Sequence, residues 1–304
     1  MGSTFRIRPL HLGNCRMGEY HLLGEGYSED TRLGFTLYSF LIEGDELALV
    51  DLGPMTLEYA NAMFRRFDLF REEGDGRLHP DDIVQPQGNI FANLERLGIA
   101  PSEIKHIVLT HLHADHHGID SARNPGAAAL FPDALVHASR RGWELILEGR
   151  DDGRWEGYID HAFADYLLAA SETGGVVFED DAEILPGLRT HYLGGHASCS
   201  QAVEVRTDWG PAFITSDDVY AYDLLARAVF ARLCVTPEDL VRSTNKLIDL
   251  ATESDGILLP VHDPLLWDFY EEAGERWLEL AKAASDRAIE GFRSSEPTFA
   301  GYGP

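Results

Sequence analysis

His111, His113, Asp115 and His116 fall within the short run Thr110-His111-Leu112-His113-Ala114-Asp115-His116-His117-Gly118. Imidazole nitrogens with a carboxylate are the donor set of zinc and of other borderline divalent ions. The apolar run Ile107-Val108-Leu109 comes directly before and reads as a buried strand. In an extended segment, side chains on alternate residues share a face. His111 and His113 can therefore address one point. Asp115 and His116 follow as the chain turns, and can address a second point nearby.

Three distant positions share this setting. His196 follows Tyr192-Leu193-Gly194-Gly195, Asp217 follows Phe213-Ile214-Thr215-Ser216, and His262 follows Leu258-Leu259-Pro260-Val261. Singly they say little: a histidine at a strand end is an ordinary loop residue, and an aspartate there is usually a helix cap. Joined to the first cluster, they divide into His111, His113 and His196 for one ion and Asp115, His116 and His262 for another. Asp217 would bridge the pair, as two cations about 3.5–4 Å apart require. The expectation is two divalent ions per chain, zinc first, with iron or manganese admitted by the same donors.

The elements that must position these residues are legible as two groups of strands, each with helices. In the first group, Phe35–Ile42 and Leu47–Asp51 read as strands joined by the Gly44-Asp45 turn. Leu57–Phe70 and Asn89–Leu97 read as helices, the second stopped by Gly98. Ala134–Ala138 reads as a strand and Arg140–Glu148 as a helix. In the second group, Gly175–Phe178, Leu188–Leu193, Gln201–Arg206, Ala212–Thr215 and Ile257–Val261 read as strands. Helices are expected at Leu224–Ala231, at Pro237–Ala251, where Pro237 suits a first helical position, and at Leu265–Ile289. A helical pattern at Tyr158–Ala170 sits in a segment, residues 149–173, that breaks the strand rhythm and reads as a cap or surface insert. Arg71–Arg77 is linker-like, and Ser294–Pro304 is expected to be a loose tail. Two strand groups with their own helices suit a sandwich of two sheets covered on both sides.

The 304 residues, 44% of them hydrophobic, allow a large core. A net charge of −26 repels phosphate backbones and disfavours a nucleic-acid partner. The three cysteines, Cys15, Cys199 and Cys234, are sparse and form no C-x-x-C, which fits a reducing cytoplasm. Residues 1–20 have no signal-peptide core, and no run of about 18 apolar residues suggests a membrane span. The oligomeric state stays open, a dimer included.

The motif H-x-H-x-D-H after a strand, with later Gly195-His196, Asp217 and His262, resembles the metallo-β-lactamase-fold superfamily, over about Phe35 to Pro264. The resemblance implies an α/β fold: an αββα sandwich of two mixed sheets flanked by helices, taken here as one domain over residues 1–304. It implies that Asp51 supports the metal ligands from behind. Within the superfamily the chain is similar to N-acyl homoserine lactonases. The similarity rests on Gln87-Gly88-Asn89-Ile90 with Leu94 and Leu97-Gly98, on Thr215-Ser216-Asp217-Asp218-Val219-Tyr220, and on Val261-His262-Asp263. It implies a small-molecule lactone substrate, opened by a hydroxide shared between the metals. Tyr220 would donate to the oxyanion, Asp217 would pass a proton to the leaving alkoxide, and Asp115 would orient the hydroxide as well as ligate.

The chain also departs from that pattern. Ala197-Ser198-Cys199-Ser200 stands where many relatives have a Thr-Pro-Gly-His-like run, and Ser216 where glycine is common. Asp218 beside Asp217 leaves two candidates for the bridge. His117 replaces a small residue, and the 149–173 segment differs in composition. Another hydrolase of the same fold, acting on a different cyclic ester, amide or thioester, therefore stays open, as does a catalytically silent metal-binding relative. A glyoxalase-II-like thioesterase would be expected to carry basic residues for its anionic substrate. The commonest β-lactamases would carry Cys in place of Asp217. A nuclease is disfavoured by charge and by lack of room for its extra domain, and a redox diiron enzyme would need a flavin domain.

Overall fold

Arg32–Glu43 is buried along nearly its whole length, and it organises the molecule. A strand covered on both faces reads as a continuous apolar run, and Phe35-Thr36-Leu37-Tyr38-Ser39-Phe40-Leu41-Ile42 is one. Alternate side chains then enter different cores. Leu37 and Leu41 pack with helices on the outer face, and Tyr38, Phe40 and Ile42 face the second sheet. Burying a side chain the size of Phe40 stabilises the fold by about 1.5–3 kcal/mol.

The computed structural model describes residues 4–28, 30–54, 56–66, 85–118, 131–151, 159 and 161–299. In chain order the elements are β1 (Arg6–Gly18), α1 (Glu19–Leu23), β2 (Arg32–Glu43), β3 (Leu47–Val50), α2 (Leu57–Arg66), β4 (Gln85–Pro86), α3 (Ile90–Leu97), β5 (Ile104–Val108) and β6 (Leu135–Ala138). There follow α4 (Arg140–Asp151), α5 (His161–Glu172), β7 (Val176–Phe178), β8 (Glu183–Leu185), β9 (Leu188–Tyr192), β10 (Gln201–Thr207) and β11 (Gly210–Ile214). The last are α6 (Tyr222–Ala226), α7 (Pro237–Glu253), β12 (Ile257–Leu259), α8 (Leu265–Ala273) and α9 (Trp277–Arg293). One sheet has the order β4-β1-β2-β3-β5-β6-β7 and the other β12-β11-β10-β9-β8. Both are mixed: β3, β5, β6 and β7 run parallel, and so do β11 and β12, while the remaining pairs are antiparallel. Helices α3 and α5 cover the first sheet through Leu94, Phe163 and Leu167, and α7 and α9 cover the second through Leu247, Ile248, Trp277 and Ala281. This is the expected αββα sandwich.

The strand directions decide where the site lies. Strand β10 is antiparallel to both β9 and β11, so β9, β11 and β12 point the same way. Two bonds between the sheets align these ends with those of β3 and β5. Gln201 N–H donates to Thr110 O at 2.8 Å, and Thr36 N–H donates to His262 O at 3.1 Å. Loops leaving the carboxyl ends of five strands thus meet at one edge, the usual place for an α/β site.

Local chemistry sets several boundaries as expected. Asn89 caps α3 by accepting from Ala92 N–H at 3.0 Å, and Gly98 ends it at φ 72°. Thr236 caps α7, and Pro237 occupies its first turn. Other expectations need correction. The closing helix is two, because Gly274 at φ 56° begins a 3-10 turn between α8 and α9, and α9 extends to Arg293. The helix expected at Leu224–Ala231 is α6, Tyr222–Ala226; Ala228 at φ 51° ends it, and Val229 bridges to Thr298. That bridge and the stacking of Phe299 on Phe230, at 4.8 Å, hold the expected loose tail as far as residue 299. Residues 300–304, the Arg71–Arg77 linker, residues 67–70 of the expected helix, and 152–158 and 160 of the insert lie outside the described residues. Cys15, Cys199 and Cys234 form no disulfide. Among the described residues, no helix is long and apolar enough to cross a membrane.

Candidate metal centre

Three of the five site loops leave their strands through an unusual backbone. Asp51 after β3 has φ 58°, and Ser216 after β11 has φ 57°, both left-handed. Glycine takes that conformation freely and aspartate tolerates it, while serine is strained. Ser216 sits where glycine is common in the resembling family, and in exchange its hydroxyl lies 3.2 Å from His111 Nδ1. After β9, Gly194 has φ 65°, and a Cβ on Gly195 would lie 2.0 Å from Ser243 Oγ and 2.4 Å from Asp218 Oδ1. The Gly-Gly pair before His196 is therefore a steric requirement of the groups behind it.

The expected residues converge. His113 Nδ1 lies 3.1 Å from His196 Nε2, and His196 Nε2 lies 3.4 Å from Asp217 Oδ2. Asp217 Oδ1 lies 3.2 Å from His116 Nε2 and 3.0 Å from His262 Nε2. Asp115 Oδ2 is 3.6 Å from His116 Nε2 and 3.9 Å from His262 Nε2. Three sets keep their donor atoms within 4.8 Å of one another: His111, His113 and His196; His111, His116 and Asp217; and Asp115, His116 and His262. The first and third are the divisions read from the sequence, with Asp217 between them.

The far side of each ring fixes its proton. His116 Nδ1–H donates to Asp51 Oδ2 at 2.9 Å, His196 Nδ1–H to Leu233 O at 2.8 Å, and His262 Nδ1–H to Thr36 O at 2.8 Å. Each Nε2 is left with a lone pair facing the centre, as metal-binding histidines need. The Nε2 atoms of His111, His116 and His262, with Asp217 Oδ1, are buried and have no hydrogen-bond partner among the described residues. Such groups are costly to bury unless something compensates them. Their donor chemistry and convergence fit a divalent cation, and the family and the cluster together indicate divalent-metal binding.

The electrostatics agree for three of the rings, His111, His113 and His196. Burial holds His111, His113 and His196 below the ordinary imidazole value, so they stay neutral. Burial pulls His116 the same way, but Asp115, Asp217 and Asp51 outweigh it and raise it. Burial opposes ionisation of Asp217, yet His262, His116, His111 and His196 keep its carboxyl well below the usual range.

Neighbouring groups sort themselves. Asp51 is more than a turn former: its carboxylate accepts from Thr110 N–H and Thr110 Oγ1–H, both at 2.7 Å, as well as from His116. The His262 ring lies between Phe35, 3.9 Å away and stacked, and Tyr220 at 5.3 Å. The Asp218 carboxylate accepts from Ser243 Oγ–H and from the His196 backbone N–H, and of the two acids Asp217 alone belongs to a donor set. His117 also turns away and stacks on Phe163 of α5 at 3.9 Å, while Ile159 bridges to His113. Beside the cluster a cavity of about 160 Å³ is lined by Leu22, Leu33, Phe35, Tyr220, Leu224 and Leu265, with His262 in its wall. Sequence reasoning missed Phe35, Ser216, Ser243 and the carbonyls of Thr36 and Leu233. Only Ser216 carried a signal, as a residue standing in a glycine's place.

Known proteins align with this picture. The family model described as the Metallo-beta-lactamase superfamily matches residues 32–262. An N-acyl homoserine lactonase AttM of Azorhizobium caulinodans is 29% identical over 198 residues, covering 63% of this chain and 70% of the relative. For the AttM protein of Rhizobium radiobacter, also 29% identical, the match spans 66% of the relative's length. An N-acyl homoserine lactonase of Bacillus thuringiensis is 25% identical over 255 residues, 83% of this chain and 90% of the relative. A solved N-acyl homoserine lactone hydrolase with N-hexanoyl-L-homoserine at its catalytic metal center superposes with a TM-score of 0.65 at 19% identity. That match covers 88% of this chain and 96% of the other. The dizinc quorum-quenching lactonase AidC gives a TM-score of 0.61 at 14% identity, over 86% and 91% of the two chains. At these identities the solved structures speak for the fold.

Proposed function

Because the chain belongs to the metallo-beta-lactamase superfamily, we propose that it is a dinuclear-metal hydrolase that opens the ring of an N-acyl homoserine lactone or a related cyclic ester. One observation carries the reading: buried, unpartnered imidazole nitrogens and Asp217 Oδ1 converge beside an apolar cavity. The curated relatives named N-acyl homoserine lactonases support the substrate class.

In this reading His111, His113 and His196 would hold one ion, Asp115, His116 and His262 would hold the other, and Asp217 would serve both, with zinc favoured by the donor set. Two such ions supply Lewis acidity and a water of lowered pKa. The chain supplies the rest. The Tyr220 phenol, packed against His196 and His262, donates to the oxygen that gains charge as the lactone carbonyl is attacked. Asp217 carries a proton to the ring oxygen as it leaves, and Asp115 orients the attacking group. The cavity takes an apolar arm of the substrate; its 160 Å³ is close to a cavity known to accept a six-carbon ring. The three sparse cysteines, none in a disulfide, support a reducing compartment such as the cytoplasm for this enzyme.

The test is ring opening followed by proton release, on acyl homoserine lactones of several lengths, simple γ- and δ-lactones, a thiolactone, a β-lactam and a thioester. Metal-stripped protein and Asp115→Asn are expected to lose activity by orders of magnitude, and Tyr220→Phe to lose about 10²–10³-fold in kcat at most. Full activity without metal refutes the reading. A preference for the β-lactam or thioester moves it to another hydrolase of the same fold.

A further inference from the structure

Asp217 and Asp218 are consecutive residues of one 3-10 turn, yet Asp217 meets His116 and His262 while Asp218 meets Ser243 and the His196 backbone. We propose that Asp218 is a positioning residue for His196: it clamps the Gly194–Ser200 loop, and so tunes the ion held by His111, His113 and His196. The proposal rests on the two-ion reading above.

Three elements meet on this carboxylate. Asp218 Oδ1 accepts from the His196 backbone N–H at 3.3 Å. It also accepts a short hydrogen bond from Ser243 Oγ of α7. The Ser200 side chain also interacts with this carboxylate. Ser200 Oγ in turn accepts from Ala197 N–H at 3.0 Å. One acid therefore grips the loop at His196 itself and at its far end, and ties both to a helix of the second sheet. The fit is close, since Gly195 leaves no room for a Cβ against it. Ser200 and the residues before it are where this chain departs from the Thr-Pro-Gly-His-like run. The Ser200–Asp218–Ser243 arrangement is what holds the loop in its place.

The effect should be selective. The 3-10 turn keeps its own bonds without the carboxylate: Val219 N–H to Ser216 O at 3.4 Å, Thr215 Oγ1–H to Val219 O at 3.0 Å, and Thr244 Oγ1–H to Asp218 O at 3.2 Å. Losing the Asp218 side chain thus leaves Asp217 in place and loosens the His196 loop. The set of Asp115, His116 and His262 is built from other loops. Behind it stand Asp51 and the Thr36 carbonyl.

The experiment is zinc titration against a competing chelator, on wild type, Asp218→Ala, Asp218→Asn, Ser243→Ala and His262→Ala. The last marks the equivalent that belongs to the other set. Asp218→Ala is expected to weaken one zinc equivalent about 10–100-fold, the range for groups behind metal ligands, and to leave the equivalent lost in His262→Ala unchanged. Asp218→Asn keeps an acceptor oxygen and should recover most of the affinity. Ser243→Ala should weaken the same equivalent more mildly, and it serves in place of Asp218→Ala if that variant does not fold. A purely structural role would lower the melting temperature of the metal-free protein without separating the two equivalents. Two equivalents as tight as wild type in Asp218→Ala or Ser243→Ala, or an equal loss of both, overturn the proposal. A wild-type protein binding one equivalent refutes the two-ion reading instead, and the proposal falls with it.

Discussion

Asp51→Asn changes almost no volume, and the hydrogen bonds around it allow its effect to be worked out. Asp51 Oδ1 accepts from Thr110 N–H, and Oδ2 accepts from both Thr110 Oγ1–H and His116 Nδ1–H. An amide must keep its oxygen on Thr110 N–H, so its NH₂ group faces the other two donors. The threonine hydroxyl can turn and accept. His116 can accept only by moving its proton to Nε2, the atom that faces Asp217 and Asp115. The variant therefore removes a metal-binding lone pair without touching a ligand. A hydrogen bond to a charged group is worth about 1.5–3 kcal/mol, and 1.4 kcal/mol is about tenfold in affinity. Zinc affinity at this set should fall about 10–100-fold. Without metal the loss should be much smaller, because the flipped tautomer still makes a hydrogen bond. Asparagine also tolerates the φ of 58° at this position. Urea unfolding with and without zinc separates the two. Asp51→Ala should instead cost about 1–2 kcal/mol more than Asp51→Gly whether or not zinc is present, from the left-handed backbone. Zinc affinity of Asp51→Asn within twofold of wild type, or equal destabilisation in both states, refutes the reasoning.

Ser216→Gly relieves the strained φ but removes a partner of His111, so the metal-free protein should stay within about 1 kcal/mol of wild type. Its zinc affinity should drop by less than tenfold, since Thr110 Oγ1 still lies 3.1 Å from His111 Nδ1; unchanged affinity would show that the hydroxyl does nothing there. Leu33→Trp fills the cavity beside Tyr220 and should lower kcat/KM for long-chain acyl lactones more than tenfold while sparing γ-butyrolactone; an equal loss on both would remove the cavity from substrate binding. His11 is held down to about 4 by burial, below its ordinary 6.5, with Trp267 and Tyr38 against its ring. The unfolded chain takes up that proton first. The stability His11 contributes is thus complete above pH 6.5 and declines as pH falls toward 4. His11→Phe should flatten the pH dependence of urea unfolding in that window, and an unaltered slope would assign the acid sensitivity elsewhere.

The candidate metal-binding positions are legible because each is a rare donor type at the end of an apolar run, and strand ends are where a sandwich gathers its loops. What lies behind them is not. Thr36 and Leu233 act through backbone carbonyls, which any residue supplies, and Ser243 is a common residue on an ordinary amphipathic helix. Strand β1 was also missed. Arg6, Arg8, Pro9, Gly13 and Arg16 break its apolar pattern, and twelve paired residues of β1 and β2 hold it in the sheet instead. The pattern of Leu265–Ile289 reads as one helix, and only the φ of 56° at Gly274 shows the break between α8 and α9. Asp218 shared one letter and one turn with Asp217, and pattern alone had no means of telling which way each would face.

The edge where the strand ends meet also orders events in time. The loop after β5 belongs to one sheet, and those after β9, β11 and β12 belong to the other. Synthesis delivers His111, His113, Asp115 and His116 early and His262 near the end. On the two-ion reading, a cation meeting the nascent chain would find only part of its ligand set. Tight uptake would then wait until β12 has docked beside β11 and the two sheets have closed. On that reading, metal loading would report a finished fold, and a bound ion would then act as a rivet, adding stability in proportion to the logarithm of its free concentration.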